Sequence, residues 1–342
     1  MKINSNISEI SKKTKEKLRD KKVLILGGLG MIGSNLAHKL VENNAEVTIA
    51  DACIKPFGAN IFNLNGINDK VGLNKTDIRD SESIKLLVKD KEIIFNLAGQ
   101  ISHNDSIKDP LYDAELNYMG QLSVMENIRI FNPKAKVLFS GSRLQFGRIQ
   151  QIPVNEKQPL NPETPYALHK SAAERMYQYY YKIHNISTVV FRIANPYGMR
   201  GQIRHHKYSI INYFIRQAME GSTIKIFGDG KQIRDYIYVE DLVNAFIIAA
   251  TSNETNGEIY NVGSGVATTF LNMVKTILNT VGTGQFEHIP WPDSYLNVET
   301  GDYVTDISKI STTLEWEPRI TLQQGIEKTF QYYKKNIKYY LP

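Results

Sequence analysis

Tyr166 and Lys170 are the two residues whose types and spacing most directly suggest chemistry. They stand four residues apart in the segment YALHK, which places both side chains on one face if the segment is helical. A tyrosine with its ordinary pKa of about 10 is a poor base at neutral pH. A neighbouring ammonium group stabilises the phenolate and lowers that pKa, so Tyr166 could accept a proton. Because YxxxK also occurs by chance on surface helices, the interpretation depends on the elements around it.

A glycine-rich turn near the N-terminus is the second feature that suggests chemistry. Gly27, Gly30 and Gly33 form GxxGxxG between an apolar strand pattern and a helix pattern. Such a turn lets the backbone approach a pyrophosphate and directs a helix N-terminus at its negative charge. Asp51 ends the next strand pattern, where a carboxylate can bind the ribose hydroxyls and repel a 2′-phosphate. The sequence therefore predicts a dinucleotide site that prefers NAD to NADP.

An alternation of strand and helix patterns positions these residues. The pattern predicts strands at Lys22 to Leu26, Ala45 to Ala50, Glu92 to Leu97, Lys136 to Ser140, Thr188 to Ile193 and Glu258 to Val262. It predicts helices at Ile32 to Asn43, Tyr118 to Phe131, Tyr166 to His184 and Tyr208 to Glu220. This rhythm is typical of an α/β fold with a doubly wound parallel Rossmann sheet. Ser142 lies at the end of one strand, where its hydroxyl can bond a reacting oxygen.

The same patterns predict a division into domains. Residues 1–20 are expected to form an N-terminal helical extension, with a peripheral amphipathic helix near residues 6–20. Residues 21–195 are expected to form the NAD-binding domain, together with a segment near 228–263 that returns to the sheet. Residues 196–227 and 264–342 are assigned to a smaller C-terminal substrate-binding domain.

Composition excludes several classes of function. The chain has 342 residues, 42% hydrophobic and 22% charged, as a folded protein does. The net charge of +6 comes from mostly scattered positive residues, so nucleic acid is not the expected partner. A single cysteine, Cys53, permits no intrachain disulfide and argues against a thiolate metal site. No apolar stretch approaches the roughly 20 residues of a membrane span, and the expected location is the cytoplasm.

Beyond these features, the chain resembles the extended short-chain dehydrogenase/reductase family, in particular its nucleotide-sugar epimerases and dehydratases. The resemblance covers roughly residues 22 to 330 and rests on nine pieces of sequence, which are GGLGMIG (27–33), Asp51, DIRD (77–80), NLAGQ (96–100), Asn117, SGSRLQFG (140–147), YALHK (166–170), NPYG (195–198) and GDGKQIRDYIYVEDL (228–242). It implies that Ser142, Tyr166 and Lys170 are the catalytic triad.

The resemblance also implies where the ligands bind. The residues expected to contact NAD are Gly27, Gly30, Met31, Ile32, Gly33, Asp51, Asp77, Ile78, Leu97, Ala98, Gly99, Tyr166 and Lys170. Asn195 and Arg234 are expected to contact the diphosphate of a nucleotide sugar. No metal is expected.

Two departures from the family pattern bear on the reaction. Family 4,6-dehydratases place an acidic pair just after the catalytic hydroxyl, whereas this chain has Arg143 and Leu144 there, which disfavours dehydration. The segment GDYVTD (301–306) lacks the family's phosphate-binding arginine, so another cation must replace it or the diphosphate must sit differently. Arg204 and the basic residues around it could supply that charge, although a solvated basic loop is an equal alternative. His103 could approach the substrate, but a plain loop histidine is the favoured interpretation.

These observations together predict an NAD-dependent nucleotide-sugar epimerase, acting at C4 through a transient 4-keto intermediate. A dehydrogenase or ketoreductase that releases the keto sugar is the first alternative, and a 4,6-dehydratase is a weaker one. A non-catalytic NAD-sensing scaffold is the alternative from another class. The expected assembly is a homodimer, with a role in polysaccharide biosynthesis. The sequence specifies neither the base nor the hexose.

Overall fold

A seven-stranded parallel sheet forms the centre of the protein. The computed structural model describes residues 11–55, 57–296 and 298–341. Its strands are β1 (Lys22–Leu26), β2 (Glu46–Ala50), β3 (Val71–Asn74), β4 (Ile93–Asn96), β5 (Lys136–Ser142), β6 (Thr188–Ile193), β7 (Asn195–Tyr197), β8 (Thr223–Phe227), β9 (Ile233–Arg234), β10 (Tyr236–Tyr238), β11 (Ile259–Val262), β12 (Thr268–Thr269) and β13 (Gln285–Ile289). The central sheet has the order β11, β6, β5, β4, β1, β2, β3, and all its neighbouring strands are parallel.

Helices pack on both faces of this sheet, and further helices lie in the C-terminal part of the chain, which follows β7. They are α1 (Lys12–Leu18), α2 (Met31–Glu42), α3 (Ser81–Val88), α4 (His103–Lys108), α5 (Pro110–Ala114), α6 (Gly120–Phe131), α7 (Pro165–His184), α8 (Ile210–Met219), α9 (Val239–Thr251), α10 (Phe270–Val281), α11 (Asp293–Leu296), α12 (Ser308–Leu314) and α13 (Leu322–Asn336). None of the helices in the described ranges is long and apolar enough to cross a membrane.

The side chains of β1 show why helices cover both faces of the sheet. Val23 and Ile25 belong to one buried apolar cluster, whereas Leu24 and Leu26 belong to the cluster on the opposite face. Successive side chains of a strand point to opposite faces, so a strand that is apolar throughout requires a helical layer on each side. The doubly wound parallel sheet predicted from the sequence is confirmed.

The chain reverses its direction of travel across the sheet between β1 and β4. From β1 it proceeds outward through β2 to β3, and then returns to the other side of β1 to form β4, β5 and β6. At such a switch point the loops after the two neighbouring strands diverge and leave a crevice at the carboxyl ends of the strands. The predicted glycine turn follows β1, so it lies at this crevice.

Most predicted elements are present with small shifts in their ends. The strands β1 and β6 have the predicted bounds, and β11 returns to the sheet beside β6 as predicted. The edge strand β3 was not predicted, because Val71–Asn74 is short and its last three residues are exposed, which leaves no apolar pattern to read.

The N-terminal helix is less peripheral than expected. Its described part is α1, and residues 6–10 of the predicted helix lie outside the described residues. Leu18 is fully buried within the larger apolar cluster, and Lys17 donates a hydrogen bond to the backbone oxygen of Thr251 over 2.7 Å. Burial of an apolar side chain, rather than charge alone, therefore holds this helix.

The C-terminal part of the chain shares the core of one face of the sheet. Its helices α8 and α10 pack on each other, and β8 pairs with β13 outside the central sheet. Buried residues of these elements, such as Ile215, Ile226 and Ile277, continue the apolar cluster that begins at Val23. The C-terminal part and the central sheet therefore share one apolar core.

Candidate active site

A cavity of about 430 Å³ lies at the carboxyl ends of the central strands. This volume is within the usual range of small-molecule sites. One end is lined by the glycine turn after β1 and by Asp51, and the middle is lined by Ser142, Tyr166 and Lys170. The other end is lined by residues of β7, of β10 and of the segment before α8, among them Asn195, Tyr236 and Ser209. One continuous site therefore contains the glycine turn and the predicted catalytic residues.

The glycine turn has a shape that side chains would obstruct. Gly27 has a φ of +79°, and a Cβ there would lie 2.9 Å from the backbone nitrogen of Ala98. A Cβ on Gly33 would lie 2.4 Å from the backbone oxygen of Gly27, so Gly33 lets α2 pack closely against the turn. A Cβ on Gly30 would meet only the backbone oxygen of Gly27, at 3.6 Å. The space beside Gly30 is thus open to a ligand at the N-terminus of α2, where free N–H groups favour an anion.

Asp51 stands at the end of β2 on the same side of the cavity. Its two carboxylate oxygens accept hydrogen bonds from the backbone N–H groups of Leu29, at 3.0 Å, and Cys53, at 2.9 Å. Burial raises the pKa of this carboxyl above its ordinary value, and the two hydrogen bonds oppose that rise. The carboxylate is thereby oriented toward the cavity that it lines.

Two structural elements bring the predicted catalytic triad together. Ser142 is the last residue of β5, whereas Tyr166 and Lys170 lie in the first two turns of α7. Tyr166 and Lys170 are 7% and 3% exposed. The hydroxyl of Ser142 lies near Tyr166 and favours its phenolate, and the Lys170 ammonium donates to the backbone oxygen of Ser140 over 3.0 Å.

Burial dominates the protonation of this triad. It raises the pKa of Tyr166 to about 12, although the nearby Ser142 hydroxyl opposes the rise. Burial also lowers the pKa of Lys170 to about 8, against the opposing charge of Asp113. The lowering of the Tyr166 pKa that the sequence predicted is therefore absent here, because loss of hydration outweighs the favourable contacts. A raised pKa makes the Tyr166 phenolate, once formed, a stronger base.

Known proteins resemble this chain along most of its length. A family model described as GDP-mannose 4,6 dehydratase matches residues 24–329. The UDP-glucose 4-epimerase of Mycolicibacterium smegmatis is 31% identical over 317 residues, which cover 92% of this chain and 98% of that protein.

Solved structures agree with the sequence matches. An epimerase from Methanothermobacter thermautotrophicus superimposes with a TM-score of 0.88 at 25% identity, covering 96% of this chain and 97% of that one. The UDP-glucose 4-epimerase of Thermus thermophilus, solved as a complex with NAD, has a TM-score of 0.82 at 25% identity, covering 92% and 99%.

This chain belongs to the nucleotide-sugar epimerase and dehydratase family of extended short-chain dehydrogenases/reductases. Two other relatives that match it are described as a UDP-glucuronic acid decarboxylase and a dTDP-D-glucose 4,6-dehydratase. Membership of the family therefore does not decide which reaction this member catalyses.

The predicted cofactor residues of this family member fit a dinucleotide such as NAD. All thirteen line the cavity, from Gly27 to Lys170. The open space at Gly30 suits a pyrophosphate, and Asp51 stands one strand away, as the ribose of a dinucleotide requires. Asp77 is tied to Arg79 by hydrogen bonds of 2.8 to 3.1 Å.

The three predicted substrate residues have different surroundings. Asn195 lines the cavity, and its amide donates to the backbone oxygen of Asp235 over 2.7 Å. Arg204 is exposed and lines a smaller adjacent cavity with Lys338 and Tyr339. Arg234 is not among the residues that line the main cavity. Its Nη2 donates to both carboxylate oxygens of Glu299, at 2.6 and 2.7 Å.

A buried polar network that sequence reasoning missed supports Ser142. The backbone N–H of Ser142 donates to the side chain of Gln145 over 2.7 Å, and Gln145 in turn donates to Glu174 over 2.8 Å. Glu174, on α7, also accepts two hydrogen bonds from Arg192, on β6, at 2.6 and 2.8 Å. The network joins three elements behind the catalytic hydroxyl. No local pattern marks it, because its members come from three separate segments.

A second missed group lies beside Lys170. Asp113 is fully buried and contacts His169 at 2.7 Å. It also accepts from the amide of Asn117 at 2.9 Å. Asn117 lies in a π-helical turn, Glu115–Met119. Its Oδ1 and the ammonium of Lys170 would lie 2.4 and 3.5 Å from a Cβ on Gly99. The resemblance marked Asn117, but no sequence signal indicated Asp113.

Proposed function

We propose that this protein is an NAD-dependent nucleotide-sugar epimerase that acts at C4 of the sugar. The observation that carries the proposal is the distribution of carboxylates around the cavity. Among the described residues that line it, only Asp51 and Asp77 are acidic, and both lie at the cofactor end. The middle of the cavity therefore offers no carboxylate, and the acid–base group beside Ser142 is Tyr166, which lies on the same helix as Lys170.

The cofactor is NAD, which supplies, when bound, the ability to accept and return a hydride. The protein's own residues handle the proton and hold the substrate. The phenolate form of Tyr166 accepts the proton of the C4 hydroxyl as that carbon is oxidised to a ketone, and the resulting phenol returns the proton when the ketone is reduced. Ser142, whose hydroxyl lies near Tyr166, donates to the same sugar oxygen. Reduction on the opposite face of the ketone gives the 4-epimer.

The site supports epimerisation over dehydration for a chemical reason. Loss of water across C5 and C6 needs one group to remove the C5 proton and another to protonate the leaving hydroxyl. The positions directly after Ser142 are Arg143 and Leu144, of which Arg143 lies in the cavity and carries a positive charge. A guanidinium is an unsuitable base or acid at neutral pH.

The relatives support the substrate class. Two of the similar proteins are described as UDP-glucose 4-epimerases. We therefore propose a nucleoside-diphosphate hexose as substrate, with UDP-hexoses as the first to test.

The experiment is incubation of the protein and NAD with UDP, GDP, CDP and dTDP hexoses in D₂O, with NMR of the products. Epimerisation is expected to give the 4-epimer without deuterium on carbon, because the hydrogen never leaves the site. A 4-keto-6-deoxy sugar with deuterium introduced from solvent would show a dehydratase instead. Stoichiometric build-up of NADH with a released keto sugar would show the dehydrogenase alternative.

A further inference from the structure

Arg143 is a cation in the cavity that the proposed reaction does not use. Its Nε donates to the side-chain oxygen of Asn195 over 3.2 Å, and its Nη1 donates to the hydroxyl of Thr300 over 3.1 Å. The guanidinium carbon lies 5.3 Å from the centre of the Tyr303 ring. All three neighbours are neutral, and a guanidinium has five N–H donors. Two of them are used within the described part of the chain.

The charges around Arg143 leave it without a counter-ion of its own. The carboxylate that favours its charged form is Glu299, while Arg234 opposes that form. Both oxygens of Glu299 already accept hydrogen bonds from Arg234. The cluster of Arg143, Arg234 and Glu299 therefore carries one net positive charge, and that charge belongs to the residue that lines the cavity.

Nearby titratable groups do not neutralise this charge. Burial, together with the Arg143 charge, lowers the pKa of His103 to about 4, so His103 is neutral at neutral pH. Burial lowers the pKa of Arg143 only to about 10, so its guanidinium stays charged. A recessed cation is costly unless an anion pairs with it, and the cavity is the side from which an anion can arrive.

We propose that Arg143 is the counter-ion of an anionic oxygen on the substrate and so determines which sugars the site accepts. The proposal rests on the proposed function, because it takes the substrate to be a sugar nucleotide. The free N–H groups of the guanidinium form a fork that suits the paired oxygens of a phosphate or a carboxylate. Its place next to Ser142 in the chain keeps this fork close to the reacting sugar.

The anionic oxygen has two chemical sources. One is the phosphate attached to the sugar, which every nucleoside-diphosphate sugar carries. The other is a carboxylate on the sugar ring itself, which only uronic acids and other acidic sugars carry. In both cases the Arg143 guanidinium pairs with an anionic oxygen. The two sources differ in which ligands lose affinity when Arg143 is replaced.

Calorimetry on two variants separates these sources. Arg143→Gln removes the charge and Arg143→Lys keeps a cation without the fork. Each is titrated with UDP, GDP, CDP and dTDP, then with the glucose and glucuronate conjugates of the preferred base. The matched control is Arg148→Gln, which removes one charge from an arginine whose side chain is 73% exposed. The affinity for NAD shows that each variant is folded.

If the phosphate is the source, Arg143→Gln lowers the affinity for the free nucleoside diphosphate and for both conjugates about ten- to a hundredfold. If a sugar carboxylate is the source, only the glucuronate conjugate is weakened by that factor. In both cases Arg143→Lys is expected to fall between wild type and Arg143→Gln, with Arg148→Gln unchanged.

Equal affinity of wild type and Arg143→Gln for all these ligands overturns the proposal. Should Arg143→Gln fail to bind NAD, the comparison of wild type with Arg143→Lys decides, and equal affinities there count against it. The proposed function is tested separately. Epimerisation by the wild type with no effect at Arg143 rejects this inference alone, whereas an effect at Arg143 without epimerisation rejects the reaction alone.

Discussion

At the scale of single residues, the phenolic oxygen of Tyr166 is the atom on which the proposed chemistry depends. Tyr166 is buried, lies near the Ser142 hydroxyl and shares a helix face with Lys170. Its loss should therefore affect turnover far more than folding or cofactor binding.

Tyr166→Phe is expected to remove most turnover while leaving the melting temperature and the NAD dissociation constant near wild type. The reason is that only the proton-transferring oxygen is lost. Steady-state kinetics and calorimetry with NAD measure the two effects. Activity within threefold of wild type would refute Tyr166 as the base.

Asp51 is the residue expected to select the cofactor. Wild type should bind NAD far more tightly than NADP, and Asp51→Ala should narrow the difference because the repelling carboxylate is gone. Asp51→Asn is the matched control for shape, since an amide oxygen can still accept a hydrogen bond from the Leu29 or Cys53 N–H. The measurement is the dissociation constant of each cofactor for wild type and variants. Equal affinities of wild type for NAD and NADP would show that Asp51 does not select the cofactor.

Arg234 remains the residue predicted to contact a substrate phosphate, although its guanidinium binds Glu299. Arg234→Ala is expected to lower the affinity for the nucleotide sugar about ten- to a hundredfold, which corresponds to roughly 1.5–3 kcal/mol. The dissociation constant of NAD is expected to stay unchanged. The alternative is a purely structural role, in which Arg234 pairs with Glu299 only to hold the loop.

Glu299→Gln separates these roles, because it removes the ion pair and keeps the arginine. If Arg234 only braces the loop, both variants lower the melting temperature and neither loses affinity for nucleoside diphosphates. That outcome would show that Arg234 does not bind the substrate phosphate.

At the scale of elements, β6 and α7 are joined behind the active site by Arg192 and Glu174. Their side chains are 5% and 2% exposed, so removal of one leaves the other as a buried, unpaired charge. Such a loss is far more damaging than the loss of a surface pair.

Arg192→Met is therefore expected to destabilise the protein by about 3–5 kcal/mol and to lower turnover, because Glu174 also holds Gln145 and through it Ser142. The control is Arg129→Met, which breaks a similar pair with Glu126 in an exposed setting and should change stability little. Urea denaturation compares the two. Similar midpoints for both variants would contradict the supporting role of the buried pair.

At the scale of the whole molecule, the N-terminal helix and the C-terminal part share one apolar core with the sheet. Leu18, Ile215 and Ile277 all belong to the cluster that includes β1. The segment before the Rossmann unit is thus part of the same folded body.

Leu18→Ala is expected to cost about 2–5 kcal/mol, because Leu18 is fully buried and its truncation leaves a cavity. Leu86→Ala, at a position that is 67% exposed, is the control and should have little effect. Thermal melting of both variants measures the difference. An unchanged melting temperature for Leu18→Ala would show that α1 contributes nothing to the core.

The sequence by itself determined the features that depend on local spacing. Each of these features lies within one short segment of sequence, as the glycine turn, the four-residue spacing of Tyr166 and Lys170 and the apolar strands do. The central strands other than β3, and helix α7, are present as predicted apart from small shifts at their ends. The edge strand β3 was missed because it buries too little to show a pattern.

Only the tertiary structure decided which distant residues meet. Arg143 meets Thr300, Glu299 binds Arg234, and Asp113 reaches His169 across many residues of sequence. These partners are chosen by how elements pack, and their spacing along the chain carries no signal. The structure also reversed the expected direction of the Tyr166 pKa, because burial of a side chain is set by the layers around it.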